Sequence, residues 1–274
     1  MNSLKLNYTQ DVCHMNSTHI EQAREQNVSY LIQNNQLLKF EYILQLFNEM
    51  KQADSFNHIQ TVFISIEKPS TSDTITLRLL LINKDEPSYL LVYNIENEQF
   101  NYDSSIFNDI ISSLSSVRQL YICFFDAEVK DKELLQCGIQ ILLMIKKLKS
   151  INMMYLNLSG NKYAISLLKS LLLKADYLKS VQTFIFLIEG CGVMENDLSL
   201  LLNLISCRNL ETIAIDAKRN KLTNAADDIL VKFLKFPKLK NFLLNFGSNY
   251  LDSGFFKRMT EIFINSSVNL IIDK

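Results

Sequence analysis

The C-terminal two-thirds of the chain repeats one pattern of hydrophobic and polar positions. An apolar residue is followed by two variable residues and then by apolar residues at alternate positions. The six copies begin at Val117, Ile151, Val181, Leu210, Leu239 and Val268. Their starts are 34, 30, 29, 29 and 29 residues apart, and spacing this regular indicates a structural repeat.

Each copy predicts a short β-strand followed by a helix. Alternation with a period of two is typical of a strand with one buried face. The segments between copies carry apolar residues at helical spacing, for example Leu198, Leu201, Leu202 and Ile205. One unit cannot bury its own apolar face, so successive units must stack. We therefore expect an α/β solenoid over residues 117–274, with a curved parallel sheet inside and helices outside.

A polar position follows each strand at the same distance. It is occupied by Asn161, Cys191, Asn220 and Asn249. A side chain that forms hydrogen bonds is needed where the backbone leaves a buried strand, because an unsatisfied peptide group costs about 1–3 kcal/mol. We therefore predict that these four residues form a structural ladder of turns. The first unit departs from the pattern, with Ala127 at this position.

These features resemble the leucine-rich repeat. The closest phrases are INMMYLNLSGN from Ile151 and LKNFLLNFGSN from Leu239, and the period near 29 is similar to that of the ribonuclease-inhibitor type. Segments such as ISCRNLETIAID resemble repeats of that type from protist proteins. The resemblance covers residues 117–274 and implies partner binding through the concave face of the sheet.

The upstream residues predict a modified repeat and a cap. Residues 59–66 match the strand phrase and lie 58 residues before Val117, which is two repeat lengths. Residues 75–82 and 89–93 predict a β-hairpin, so we interpret 57–116 as one degenerate repeat with a hairpin insertion. Residues 17–54 predict one or two helices, and 1–56 are expected to form an N-terminal tail and helical cap.

Composition restricts the function. With 28 basic and 29 acidic residues the net charge is -1, which argues against a nucleic-acid surface, and the apolar runs are too short and too charged to cross a membrane. Five cysteines, an odd number, and an N-terminus without an apolar signal sequence favour an intracellular and cytoplasmic protein. An organelle or a cilium is also compatible with these features.

The sequence offers little material for catalysis. No phosphate-binding loop, dinucleotide fingerprint, zinc-protease motif or paired CxxC is present. Cys13, His14 and His19 could ligate a metal, but they have no fourth ligand and no regular spacing. We therefore expect a non-enzymatic protein with no catalytic residue, no metal and no cofactor.

The predicted concave face carries apolar side chains where a surface would ordinarily be polar. Its central row is expected to be Tyr121, Tyr155, Ile185, Ala214, Leu243 and Ile272. Its neighbouring row is expected to be Cys123, Asn157, Leu187, Asp216 and Asn245. We predict partner-binding anchors at Tyr121, Tyr155, Ile185, Leu187, Leu243 and Ile272. The alternative is that this row packs against the N-terminal helices or the hairpin.

The resulting hypothesis is a protein-interaction scaffold, either a structural subunit or an adaptor. It would bind protein partners through the concave face, through the open C-terminal edge near residues 268–272, or through both. A Ran-type GTPase activator is an alternative, with Arg118, Arg208 or Arg219 as the required arginine. Another is a ubiquitin-ligase substrate receptor with an adaptor-binding helix at 36–52, although the usual Leu-Pro opening is absent.

Overall fold

Ten β-strands form one sheet in the computed structural model, which describes residues 30–32, 58–67, 75–83, 89–95, 109–125, 132–172 and 178–273. The strands are β1 (Tyr30–Ile32), β2 (Ile59–Glu67), β3 (Ile75–Asn83), β4 (Tyr89–Ile95), β5 (Gln119–Phe125), β6 (Met153–Asn157), β7 (Thr183–Leu187), β8 (Thr212–Asp216), β9 (Asn241–Asn245) and β10 (Asn269–Asp273). Their spatial order is β1-β4-β3-β2-β5-β6-β7-β8-β9-β10.

Seven consecutive strands of this sheet, β2 and β5 to β10, are parallel. A parallel pair needs a crossover connection, and here the crossovers from β5 onward contain helical segments. The predicted α/β architecture with a parallel sheet is therefore confirmed. β3 pairs antiparallel with both β2 and β4, so the hairpin predicted near 75–93 is present and extends the sheet on the N-terminal side.

Helical segments connect the parallel strands. Residues 109–113 are helical before β5. The later segments are α1 (Lys132–Ile145), α2 (Ala164–Leu172), α3 (Glu195–Leu198) with a 3₁₀ continuation at Ser199–Ser206, α4 (Ala226–Leu230) with a 3₁₀ continuation at Val231–Lys235, and α5 (Phe255–Ile264). Helical segments of successive units contact one another, as expected for stacked units.

The 3₁₀ segment after α3 buries a different set of apolar residues from the one predicted for this helix. An α-helical period selects Leu202 and Ile205 as buried positions, but Leu202 is only partly buried and Ile205 is 45% exposed. The buried residues are instead Leu198, Leu201 and Leu204, three residues apart. The difference follows from geometry, because a 3₁₀-helix has three residues per turn and aligns every third side chain.

The main core lies between one face of the sheet and the helical segments. Alternate strand residues such as Met154 and Leu156 point into it, and they pack with helix residues such as Leu167 and Leu171. These side chains are at most 1% exposed. Full burial of one such side chain contributes about 1.5–3 kcal/mol, so this face supplies most of the stabilisation by apolar burial. We call it the core face, and the other side the opposite face.

Of the region predicted as an N-terminal tail and helical cap, the structure describes three residues, and these form a strand rather than a helix. Tyr30–Ile32 were expected to be helical, but they form β1, which pairs parallel with β4. Tyrosine and isoleucine favour strands, and the edge of β4 supplies backbone hydrogen-bond partners that the sequence does not show. The other residues of 1–56 lie outside the described residues.

The register of the last strand corrects a second prediction. Asn269 pairs with Asn241, 28 residues earlier rather than 29, so Ile271 lies beside Leu243 and Ile272 beside Leu244. A shift of one residue moves every side chain of a strand to the other face. Ile272 therefore packs against the main core, and Ile271 takes the position predicted for it in the central row.

Within the described part of the chain, no helix combines the length and the apolar character needed to cross a membrane.

Candidate interaction surface

The opposite face of the parallel sheet carries three rows of side chains. The first row is Thr61, Gln119, Met153, Thr183, Thr212, Asn241 and Asn269. The central row is Phe63, Tyr121, Tyr155, Ile185, Ala214, Leu243 and Ile271. The third row includes Cys123, Asn157, Leu187, Asp216 and Asn245. Parallel pairing aligns these rows across the sheet, because equivalent residues of neighbouring strands point the same way.

Aromatic side chains occupy the N-terminal end of the central row. The rings of Phe63 and Tyr121 are stacked with centroids 4.3 Å apart, and Tyr121 lies 5.7 Å from Tyr155. Such ring pairs contribute about 0.5–1.5 kcal/mol beyond the area that they bury. The aromatic row therefore stabilises β2, β5 and β6 on the side away from the main core.

Two of the predicted anchors are buried. Tyr155 is 2% exposed and Leu187 is 5% exposed, and with Cys123 they form a second apolar cluster that is separate from the main core. A side chain that is already buried has little surface left to offer a partner. The prediction that Tyr155 and Leu187 are accessible anchors is therefore wrong, because tertiary packing covers this part of the face.

The remaining anchors keep some accessible surface. Tyr121, Ile185 and Leu243 are partly exposed, as is Ile271, which replaces Ile272 in the row. Ala214 lies between Ile185 and Leu243 and is 6% exposed. A small residue between two larger ones creates a shallow notch along the row. The accessible apolar strip thus runs from Ile185 across Ala214 to Leu243 and Ile271.

The first row gives this strip a polar border. The Thr61 hydroxyl is 3.2 Å from Gln119 Oε1, Asn241 Nδ2 donates to Thr212 Oγ1 at 3.3 Å, and Asn269 Nδ2 lies 3.5 Å from Asn241 Oδ1. These side chains are partly or fully exposed. They hold one another across the strands while part of their hydrogen-bonding capacity faces solvent.

The third row is polar at its C-terminal end but buried. Asp216 and Asn245 are 7% and 5% exposed, and Asn245 Nδ2 donates to Asp216 Oδ2 at 3.4 Å. Burial raises the pKa of Asp216, and the Lys218 ammonium 3.5 Å away only partly opposes that shift. The carboxylate also accepts a bond from the Lys218 backbone N–H at 3.3 Å, which fixes the start of the turn.

The turn ladder follows the third row, and Asn220 shows its full pattern. Its Nδ2 donates to Ile188 O in the preceding unit at 2.7 Å and to Ala217 O in its own unit at 2.9 Å. Its Oδ1 accepts from Val193 N–H at 3.0 Å. The side chain, which is 6% exposed, thus joins two successive turns.

The other ladder residues repeat the pattern to different extents. Asn249 donates to Ala217 O at 2.8 Å and accepts from Leu222 N–H at 3.1 Å. Cys191 directs its thiol to Leu158 O at 3.0 Å. Asn161 accepts from Tyr163 N–H at 2.8 Å, but its buried Nδ2 has no hydrogen-bond partner among the residues described. The ladder is therefore complete in the last units and partial in the earlier ones.

The cysteine of the ladder has an environment that suits a structural role. Burial raises the pKa of the Cys191 thiol to about 11. The thiolate is the nucleophilic form, and a raised pKa keeps this cysteine in its less reactive thiol form at neutral pH. No cluster of three potential metal ligands occurs within the described residues, and the candidate ligands Cys13, His14 and His19 lie outside them.

One periodic feature was missed by our sequence reasoning. The residue before each ladder position has a positive φ: 71° at Gly160, 67° at Gly190, 52° at Arg219 and 59° at Ser248. The two glycines, 30 residues apart, gave a signal for a left-handed turn, but Arg219 and Ser248 hid its continuation. Arg219 is also exposed, and its Nε lies 3.4 Å from Glu189 Oε1.

The three arginines considered in the sequence are all exposed, namely Arg118, Arg208 and Arg219. Of these three, Arg219 forms an ion pair with Glu189, which lies in the preceding turn.

Comparison with known proteins leaves the chain without a family assignment. No protein-family model matches it, and no curated protein matches it significantly.

Proposed function

We propose that this chain is a non-enzymatic leucine-rich-repeat scaffold that binds a protein partner through the opposite face of its parallel sheet. In this proposal the fold is a ribonuclease-inhibitor-like solenoid with an N-terminal cap, and the opposite face is its concave side. The regular pairing of equivalent residues 28 to 30 residues apart from β6 to β10 supports this interpretation.

The observation that carries the proposal is the partly exposed apolar strip formed by Ile185, Leu243 and Ile271. Protein interfaces typically have an apolar centre and a polar rim. Here the polar first row, with Thr212 and Asn241, borders the strip along one side. A partner segment with apolar side chains could therefore cover the strip and form hydrogen bonds with the first row.

The partner class follows from charge and composition. The chain has a net charge of -1, and Thr212 and Asn241 border the strip without adding a positive charge. A polyanionic partner such as nucleic acid would need a basic surface. We therefore propose a protein partner, with no cofactor and no membrane insertion, and a role as a structural subunit or adaptor. We also propose an intracellular, cytoplasmic location, because the odd number of five cysteines does not suggest a disulfide framework.

The test is affinity purification of the full chain beside two single variants. Leu243→Lys puts a charge in the apolar strip, whereas Ile205→Lys makes a comparable change at a residue that is 45% exposed on the helical side. We expect Leu243→Lys to lose a stoichiometric partner that the wild type and Ile205→Lys retain. Circular dichroism must first show that both variants are folded.

The contrary result is equally clear. If folded Leu243→Lys retains every partner of the wild type, the strip is not the binding surface. If Ile205→Lys alone loses the partner, the binding surface lies on the helical side. Either outcome would contradict the proposal.

A GTPase regulator is the second candidate, and Arg219 is the observation that favours it. Its side chain is 74% exposed, and its Nε lies 3.4 Å from Glu189 Oε1. An arginine can stabilise the transition state of GTP hydrolysis when it reaches the phosphates. Stimulation of a small GTPase by the wild type but not by Arg219→Ala, with Arg208→Ala as control, would support this function. Residues 36–52, which the ligase-receptor alternative predicts to be an adaptor-binding helix, lie outside the described residues.

A further inference from the structure

The last strand exposes residues that are buried in every other parallel strand. Phe242 and Leu244 of β9 face the core and are at most 1% exposed. Leu270 and Ile272 of β10 occupy the corresponding positions and pack against the same core, yet both are partly exposed. The difference arises because β10 forms the edge of the sheet in the part of the chain that the structure describes.

The backbone of β10 also offers hydrogen-bonding groups at this edge. Asn269 N–H donates to Lys240 O of the preceding unit at 2.7 Å. In a parallel pair, alternate residues direct their N–H and C=O groups to the same neighbour. Residues 269, 271 and 273 therefore bond to β9, and the N–H and C=O groups of Leu270 and Ile272 point away from it.

The final helix extends the same end surface. Arg258 reaches back to the preceding unit, where its Nε donates to Asp227 Oδ2 at 2.9 Å. At 100° per residue, Phe256, Thr260 and Ile264 lie on the side of α5 that faces away from that unit. Ile264 is 74% exposed and Phe256 is partly exposed. Apolar side chains of α5 thus adjoin the free strand edge.

We propose that this end surface binds a second copy of the chain, with the two β10 strands antiparallel about a two-fold axis at Ile271. In this register Leu270 of each copy lies opposite Ile272 of the other copy. Ile271 lies opposite Ile271 of the other copy. The four outward N–H and C=O groups of each strand then form four main-chain hydrogen bonds between the copies. This isologous pairing closes the assembly as a dimer.

The sequence of β10 favours a second copy as the occupant, because Asn-Leu-Ile-Ile-Asp is complementary to its own reverse. Core-facing apolar residues meet core-facing apolar residues, and the register pairs the position of Asn269 with position 273, which is acidic in the sequence. No like charges are opposed in this register. The pairing also extends the main core of one copy into that of the other.

The decisive experiment is a pair of cysteine variants in the full chain under mild oxidation. In the proposed register the Cα atoms of residue 271 in the two copies are about 4.5 Å apart, within the range of a disulfide. Those of residue 269 are separated by about 14 Å along the strands, beyond that range. We expect Ile271→Cys to give a covalent dimer linked through position 271, and Asn269→Cys to give none.

The association itself is tested by sedimentation velocity at micromolar concentration. We expect the wild type and Ile205→Lys to sediment as dimers and Ile264→Lys to shift at least tenfold toward monomer, because it adds a positive charge to the end surface of each copy. A monomeric wild type, equal crosslinking at 269 and 271, or higher oligomers without a link at 271 would each overturn the proposal. The sedimentation of Ile264→Lys does not involve the strip formed by Ile185, Leu243 and Ile271, so the two proposals can fail separately.

Discussion

The β6 and β7 units and the β8 and β9 units share one backbone plan but are stabilised by different interactions. In the first pair, Tyr155 and Leu187 form an apolar cluster on the opposite face. Their turn ladder contains Cys191 and Asn161, whose Nδ2 has no hydrogen-bond partner in the described part of the chain. In the second pair, Asp216 and Asn245 form hydrogen bonds on that face. Their ladder residues are two fully bonded asparagines.

The left-handed turn residue changes between the same two pairs. The β6 and β7 units use glycine, at Gly160 and Gly190, whereas the β8 and β9 units use Arg219 and Ser248. The earlier units thus combine an unstrained turn with apolar packing on both faces of the sheet. The later units combine a strained turn with dense hydrogen bonding. A repeated backbone can therefore be stabilised in two ways, and the sequence varies accordingly.

Replacement of the central-row residues should show the largest difference between the two regions. We expect Tyr155→Ala to lower the free energy of unfolding by about 3–5 kcal/mol, because a large buried side chain leaves a cavity. Leu243→Ala should cost only about 1 kcal/mol, because Leu243 is partly exposed. Urea denaturation measures both values. Equal losses would mean that the two ends of the row are packed alike.

Replacement of the ladder residues should give the second largest difference in the free energy of unfolding. Asn220→Ala leaves Val193 N–H and Ile188 O without their partner, so we expect a loss of about 2–4 kcal/mol. Asn161→Ala removes one accepted bond together with an unpaired donor, and about 1 kcal/mol is expected. Urea denaturation of the two variants measures this difference. If the unfolding free energy depends on urea concentration with the same slope in both, the difference between their midpoints gives it directly. A larger loss for Asn161→Ala would contradict a ladder that strengthens toward the C-terminus.

The buried carboxylate of Asp216 should make the later units sensitive to pH. Burial raises its folded-state pKa above the ordinary value of 3.8, so the unfolded state releases the proton more readily. The carboxyl group therefore lowers stability increasingly as pH rises from 3.8 through the folded pKa.

We expect Asp216→Asn to raise the Tm at pH 7, and this gain should disappear below pH 3.8. The asparagine retains an acceptor for the Lys218 N–H, and the exposed Asp228→Asn is the matched control for loss of one negative charge. Thermal melts across this pH range provide the measurement. A gain that persists in acid would assign it to packing instead.

The turn residues should give the smallest effects, and of opposite sign in the two regions. Ser248→Gly should stabilise by about 0.5 kcal/mol, because relief of the left-handed conformation exceeds the added chain entropy. Gly160→Ala should cost about 1 kcal/mol through the backbone alone, since an added Cβ meets no atom within 4 Å. Chemical denaturation measures whether each variant gains or loses free energy of unfolding. Stabilisation by Gly160→Ala would contradict the left-handed turn.

The sequence alone determined the features that depend on local pattern. Alternating apolar residues from Gln119 to Asn245 specify strands, because a strand has a period of two wherever one face is buried. The spacing of Asn161, Cys191, Asn220 and Asn249 marks the turns, because each unit needs the same hydrogen-bonding side chain at the same point. The hairpin of β3 and β4 also follows from the local sequence, because two apolar segments typical of strands stand on either side of the polar residues 83–88.

Only the tertiary structure decided what those patterns leave open. Burial of Tyr155 and Leu187 depends on packing across neighbouring strands, and β1 forms because β4 offers an edge 59 residues away. The shift that turns Ile272 toward the core is set by collective pairing with β9. Likewise, the 3₁₀ segment after α3 selects Leu204 over Ile205 through contacts in the core. Local periodicity fixes which face of an element is apolar, but contacts between distant segments decide which side chains remain accessible.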